Sequence, residues 1–185
     1  MRFNGIAAAV LIAALAGCGG LPLSTSFQLR KVDPATTNAE ELRVAVDVPA
    51  GFRMRGAQVN LAMRDAAGTQ TDALEFDLVR VPVTPGPPLP RAGAVQAYKI
   101  SPDDVAAFDA FRARAAAGKA AGMTGSLGVQ AHLCHVAAVM PDKAIVSVFI
   151  RTEETGRYLP VLRETNFVTA LPSDTLPEAI VPCTQ

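Results

Sequence analysis

Glu41-Leu42-Arg43-Val44-Ala45-Val46-Asp47-Val48 decides the fold class, because its larger apolar residues return at every second position. Leu42, Val44, Val46 and Val48 alternate with Arg43, Ala45 and Asp47, the pattern of a strand with one buried face. Working outward, Val59, Leu61 and Met63 repeat the period before the turn Asp65-Ala66-Ala67-Gly68, and Leu74, Phe76 and Leu78 repeat it after. Short, glycine-containing connections predict that these three segments are consecutive antiparallel strands. Further along, Val95 to Ile100 reads as a short strand. Leu127, Val129, Ala131, Leu133 and His135 share one face of another, with Gln130, His132 and Cys134 opposite. Lys143 to Thr152 is apolar on both faces, as expected of a strand inside a sheet. Met140-Pro141-Asp142-Lys143 supplies a turn that predicts a hairpin between these two. Arg157 to Leu162 adds a further strand.

Between the two halves lies one helix, near 102–121. Ser101-Pro102-Asp103-Asp104 combines a capping residue, a proline pre-set for the first turn and two carboxylates at the positive end of the dipole. Val105, Phe108, Phe111 and Ala115 make its apolar stripe, and Gly118 and Gly122 weaken and end it. Before it, Pro82, Pro85, Pro87, Pro88 and Pro90 exclude helix and central strand, which leaves a stiff, extended inter-strand connection from Val81 to Gly93. Six to eight short strands with one inserted helix predict a mainly β domain, an antiparallel β-sandwich of immunoglobulin-like architecture. The alternative is an α+β arrangement.

Composition narrows the function. The chain has 17 Lys plus Arg against 17 Asp plus Glu, no tryptophan and two tyrosines, Tyr98 and Tyr158. No basic surplus neutralises phosphates and few aromatics stack on bases, so nucleic-acid binding is not expected. A carbohydrate cleft is disfavoured for want of aromatic platforms.

The first residues carry an address. Arg2 is the only charge before residue 18, and the apolar run Ile6 to Ala16 is too short to span a bilayer, which takes about 20 residues. It has the form of a charged n-region and an h-region. With Leu15-Ala16-Gly17-Cys18 at its end, the segment from Met1 to about Gly20 resembles the lipobox signal of bacterial lipoproteins. The resemblance implies cleavage before Cys18, diacylglycerol on its thiol and usually an acyl group on the new amine. An ordinary secretory cleavage beside a chance cysteine is the competing reading. Gly19 stands where the best-known inner-membrane retention signal has Asp, which implies sorting to the outer membrane. The expected organisation is a signal peptide over residues 1–17, a lipidated tether over 18–26 and one β-rich periplasmic domain over 27–185.

With Cys18 lipidated, Cys134 and Cys183 form an even pair in an oxidising compartment, and a disulfide between them would pin the proline-rich tail to the sheet. Loop-closure entropy sets its contribution at up to about 4 kcal/mol. The rival reading is a copper or zinc site from His132, Cys134 and His135. Strand alternation opposes it, because positions 132 and 134 point away from 135 unless a bulge intervenes. Thr124-Gly125-Ser126-Leu127-Gly128 lacks the leading glycine of a nucleophile elbow, and Ala117-Gly118-Lys119-Ala120 lacks the P-loop spacing. Asp103-Asp104 and Glu153-Glu154 are accounted for by a helix dipole and a solvated turn. No catalytic residue and no cofactor is therefore expected. The expected protein is a non-enzymatic, outer-membrane-anchored lipoprotein, an accessory or assembly subunit that meets an envelope protein partner. The Pro85 to Arg91 loop and the helix flank at Arg112 and Arg114 are its expected contact surface. The alternatives are a copper- or zinc-binding periplasmic lipoprotein and a small-ligand or lipid carrier.

Overall fold

The computed structural model describes Asp33 and Leu89 and residues 35–84, 94–136, 143–170 and 180–183. The signal-like segment, Cys18 and the tether lie outside the described residues. Among those described, the strands are β1 (Arg43–Val48), β2 (Phe52–Arg64), β3 (Gln70–Val81), β4 (Ala94–Ile100), β5 (Thr124–His135), β6 (Ile145–Arg151) and β7 (Leu159–Asn166). A 3-10 turn (Pro102–Asp104) leads into α1 (Val105–Ala120), and a single-turn α2 (Phe167–Ala170) follows β7.

The fold is mainly β, but the strands run as one curled, antiparallel sheet in the order β5-β2-β3-β4-β1-β6-β7. The expected sandwich has its strands in two separate sheets, and that division is not seen. β2 pairs with β5 along nearly its whole length and with β3 from Gln58 to Arg64, β3 pairs with β4, and β4 hands the ladder to β1. Alternation could not separate the two architectures, because a curled sheet and a sandwich both ask one buried face of each strand. Register breaks at Met54/Gly56 in β2 and Val146/Val148 in β6 mark bulges, which bend strands and increase twist. Arg55 is the unmatched residue of the first. Its insertion returns Phe52 and Met54 to the same face as Ala57, Val59 and Leu61.

Two of the expected pairings are corrected. β1 pairs with β4 and β6 and not with β2, although Pro49-Ala50-Gly51 is hairpin-short. β5 and β6 form no hairpin; they sit in opposite halves of the sheet order. β2 and β3 do form a hairpin. The Asp65 carboxylate accepts from the Ala67 and Thr69 amides at 2.9 Å, and Gly68 supplies φ 84°. The proline-rich segment joins β3 to its antiparallel neighbour β4, as expected of an inter-strand connection.

The main core fills the inside of the curl. Val44, Val46, Val59, Leu61, Leu127, Val129, Val148 and Ile150 are almost wholly buried there. α1 closes it with Phe108 and Phe111, neither of which is exposed at all, and Phe76 meets the Phe108 ring at 5.9 Å. The helix is where the sequence puts it, with one difference: the Ser101 hydroxyl makes no capping bond. At its other end the Gly122 amide donates to Lys119 O and the Met123 amide to Gly118 O, the paired bonds of a Schellman motif. Gly118 has a packing role, since a Cβ there would meet Met123 Sδ at 2.9 Å. On the outer face Ala45, Phe149, Tyr158 and Leu89 form a smaller cluster.

Candidate functional site

Cys134, on β5, is bonded to Cys183 at 2.01 Å. The pairing follows from a short stretch of backbone that lays the tail beside β5. The His135 amide donates to Val181 O at 3.2 Å and the Cys183 amide donates to His135 O at 2.9 Å, a parallel bridge centred on Pro182. Proline has no donor to lose at that position, so its neighbours carry the bonds. Ile180 then enters the main core at 3% exposure, so the tail is held by backbone, by apolar contact and by sulfur together.

That arrangement dismantles the metal constellation. The disulfide removes the Cys134 thiolate, and strand alternation places the two histidines on opposite faces. His135 is buried. His132 lies on the outer face with Nε2 2.8 Å from Gln58 Oε1, an atom that can only accept, so Nε2 carries the proton there. Gln58 Nε2 in turn donates to Asp77 Oδ1 at 2.9 Å. Histidine, glutamine and aspartate thus form a diagonal row across β5, β2 and β3, which steadies an exposed polar surface. Among the described residues no group of three His, Cys, Asp or Glu side chains is placed to hold a metal ion.

Of the expected contact surface, Leu89 and the helix flank are described, while Pro85 to Pro88, Pro90 and Arg91 lie outside the described residues. Phe108 and Phe111 pack α1 on the face that carries Val44 and Val46. Leu89, the described residue of the proline loop between Pro85 and Arg91, packs on the face that carries Ala45. Alternate residues of β1 point to opposite faces, so Leu89 and the helix lie on opposite sides of the sheet. Arg112 pairs with Asp109 at 3.2 Å within the helix. Arg114 donates from Nε to Asp72 Oδ2 on β3 at 2.8 Å and covers the Phe111 ring at 5.6 Å. It braces the helix against the sheet.

Ser126 falls inside β5 and Lys119 inside the last turn of α1. Glu153 and Glu154 occupy an exposed turn closed by Gly156, and Glu153 Oε2 accepts from Asn38 Nδ2 at 3.0 Å. Tyr98 and Tyr158 are buried, and burial pushes both phenols above their ordinary range. An open cleft of about 290 Å³ lies over β2 and β3, lined in part by Asn60, Gln70, Glu75 and Gln130. Among the described residues no helix is long and apolar enough to cross a membrane.

Sequence reasoning missed one group. Lys99, Arg43 and Arg151 stand directly opposite one another on β4, β1 and β6. Each alone reads as an ordinary polar position, and only the register brings them together. Compared with family models, with curated proteins and with solved structures, the chain matches none.

Proposed function

We propose that the protein is a lipid-anchored, non-enzymatic accessory subunit of the bacterial cell envelope, held at the outer membrane by acyl chains on Cys18 and facing the periplasm. The observation that carries this reading is Leu15-Ala16-Gly17-Cys18 at the end of a short apolar run. Two or three acyl chains anchor a protein stably where one does not, since each buried methylene contributes about 0.8 kcal/mol. The Cys134–Cys183 bridge supports the same compartment, because disulfides persist where the surroundings are oxidising. A protein partner in the envelope is then the natural object of a tethered, neutral β domain. The metal-handling alternative is set aside with its thiolate. The carrier alternative calls for an enclosed apolar cavity, and the cleft over β2 and β3 is open.

The test is made in cells. Mass analysis of the N-terminal peptide is expected to show a chain beginning at residue 18 with a thioether-linked diacylglycerol. Cys18→Ser is expected to leave the precursor uncut and unacylated. An unmodified Cys18, or full-length chain in the cytosolic fraction, overturns the proposal.

A further inference from the structure

The sheet register gathers a row of cations on the outer face. Arg43 of β1 is paired with Lys99 of β4 on one side and Arg151 of β6 on the other. Directly paired residues of antiparallel strands project from one face with Cβ atoms about 5 Å apart. Three positive side chains therefore stand abreast, and the Ile150–Leu159 pairing, taken one residue on, brings Tyr158 beside Arg151. All three cations are only partly exposed, above the apolar cluster of Ala45, Phe149, Tyr158 and Leu89. Like charges placed opposite one another destabilise a sheet, and apolar surroundings strengthen the repulsion.

Little in the fold offsets it. Arg43 Nη1 donates to the backbone oxygens of Glu40 and Leu42, which are neutral acceptors. The Glu41 carboxylate reaches only 3.9 Å from Arg151 Nη2 and is itself 46% exposed. Arg151 Nε is buried without a hydrogen-bond partner among the described residues. The Lys99 ammonium has no ion pair or side-chain hydrogen bond among the described residues. Asp47 shares the face four residues along β1 from Arg43, but burial pushes its carboxyl above the ordinary value, the reverse of what a paired cation produces. The chain as a whole is neutral, so the clustering does not follow from composition.

We propose that Lys99, Arg43 and Arg151, with the Tyr158 hydroxyl at the end of the row, form a binding site for a phosphate-type oxyanion. Such a group supplies dense negative charge and several acceptor atoms, which suits two guanidiniums beside an ammonium. Free phosphate and the phosphodiester of a lipid head group share this chemistry. The site does not depend on the lipid anchor, so it stands or falls separately from the proposal above.

The experiment uses the full chain in a non-ionic detergent, titrated at constant ionic strength with sodium phosphate in one arm and glycerophosphoglycerol in the other. Thermal midpoint and side-chain chemical shifts are recorded. High phosphate stabilises proteins in general by exclusion from their surface, so the reading is the difference between variants. Wild type is expected to show saturable shifts at Lys99, Arg43, Arg151 and Tyr158. Lys99→Gln is expected to bind about tenfold more weakly, yet to be no less stable than wild type without the anion, since a like-charge contact is removed. Lys99→Arg is expected to restore binding. Arg55→Gln, an exposed cation on β2, is expected to bind as wild type does. The arm with the tighter response assigns the anion's source. Absence of saturable shifts in both arms, or equal weakening by Arg55→Gln and Lys99→Gln, overturns the proposal.

Discussion

The Glu164 backbone amide donates to the Ser147 hydroxyl at 3.0 Å, and Glu164 holds φ 41° to do so. The β6–β7 register passes from Val146–Thr165 to Val148–Leu162, so Arg163 and Glu164 together face Ser147 alone. A left-handed conformation costs a side-chain-bearing residue about 1–2 kcal/mol. The buried Ser147 hydroxyl accepts from an amide that the bulge has taken out of the ladder. Ser147→Ala is therefore expected to lower stability by about 1–2 kcal/mol. Glu164→Gly is expected to raise it by up to about 1 kcal/mol, since glycine enters this region freely. Urea unfolding of the two variants measures both signs; an unchanged midpoint for Ser147→Ala would show that the hydroxyl does not support the bulge.

What could be read in advance, and what could not, divides by the range of the interaction. Alternation in β1, the Asp65 to Gly68 turn and the Pro102 start of α1 are local, and each produced its element. β6 reads as an interior strand because both faces are apolar, and it is one: β1 and β7 flank it, and Phe149 packs outward against Leu89 and Tyr158. The partners of β1 could not be read, because β6 lies about half the chain away and no window of sequence contains their joint packing. Pro49 to Gly51 is short enough for a hairpin turn, yet it carries the chain into the other half of the sheet order. The cation row is hidden for the same reason, whereas the disulfide is legible because the chain has only two cysteines beyond Cys18.

The disulfide closes a sequence separation of 49 residues. Constraint of the unfolded chain by a loop of that size is worth about 4 kcal/mol as an upper figure. Cys183→Ser and Cys134→Ser are expected to lose most of that, and reduction of wild type is expected to reproduce the loss. The tail also enters the core through Ile180, so limited proteolysis of Cys183→Ser is expected to cut near the C-terminus before the sheet. Equal midpoints with and without reductant would show that the bridge contributes nothing.

Two carboxylates are expected to move stability in opposite directions with pH. The hydrogen bond from Lys119, then that from the Ala35 amide, hold Asp33 below its ordinary 3.8. A depressed folded value gives stability that is present above 3.8 and is lost as pH falls through the lower folded value. Asp33→Asn should therefore destabilise at neutral pH, by under about 1 kcal/mol for so exposed a pair, and cost progressively less as pH falls through the folded value. Burial raises Asp47 above its ordinary 3.8, so the folded chain holds that proton more tightly than the unfolded one. Its share of stability is present below 3.8 and is lost as pH rises through the folded value. Asp47→Asn is expected to stabilise at neutral pH and to match wild type in acid. Thermal melts of the two variants across pH 2 to 7 test both signs, and a parallel response would refute them.

Gly122 ends α1 at φ 79°, and its amide bond to Lys119 O depends on that conformation. The same turn brings Met123 over Gly118, where the missing Cβ leaves room for the thioether. The left-handed residue therefore sets both the helix stop and the entry of the chain into β5. Gly122→Ala is expected to cost about 1 kcal/mol, and Gly122→Asn less, because asparagine tolerates the left-handed region better than alanine. A Cβ at 122 meets nothing within 4 Å, so crowding cannot account for the loss. Equal thermal midpoints for the alanine and asparagine variants would place the cost elsewhere than in the backbone conformation.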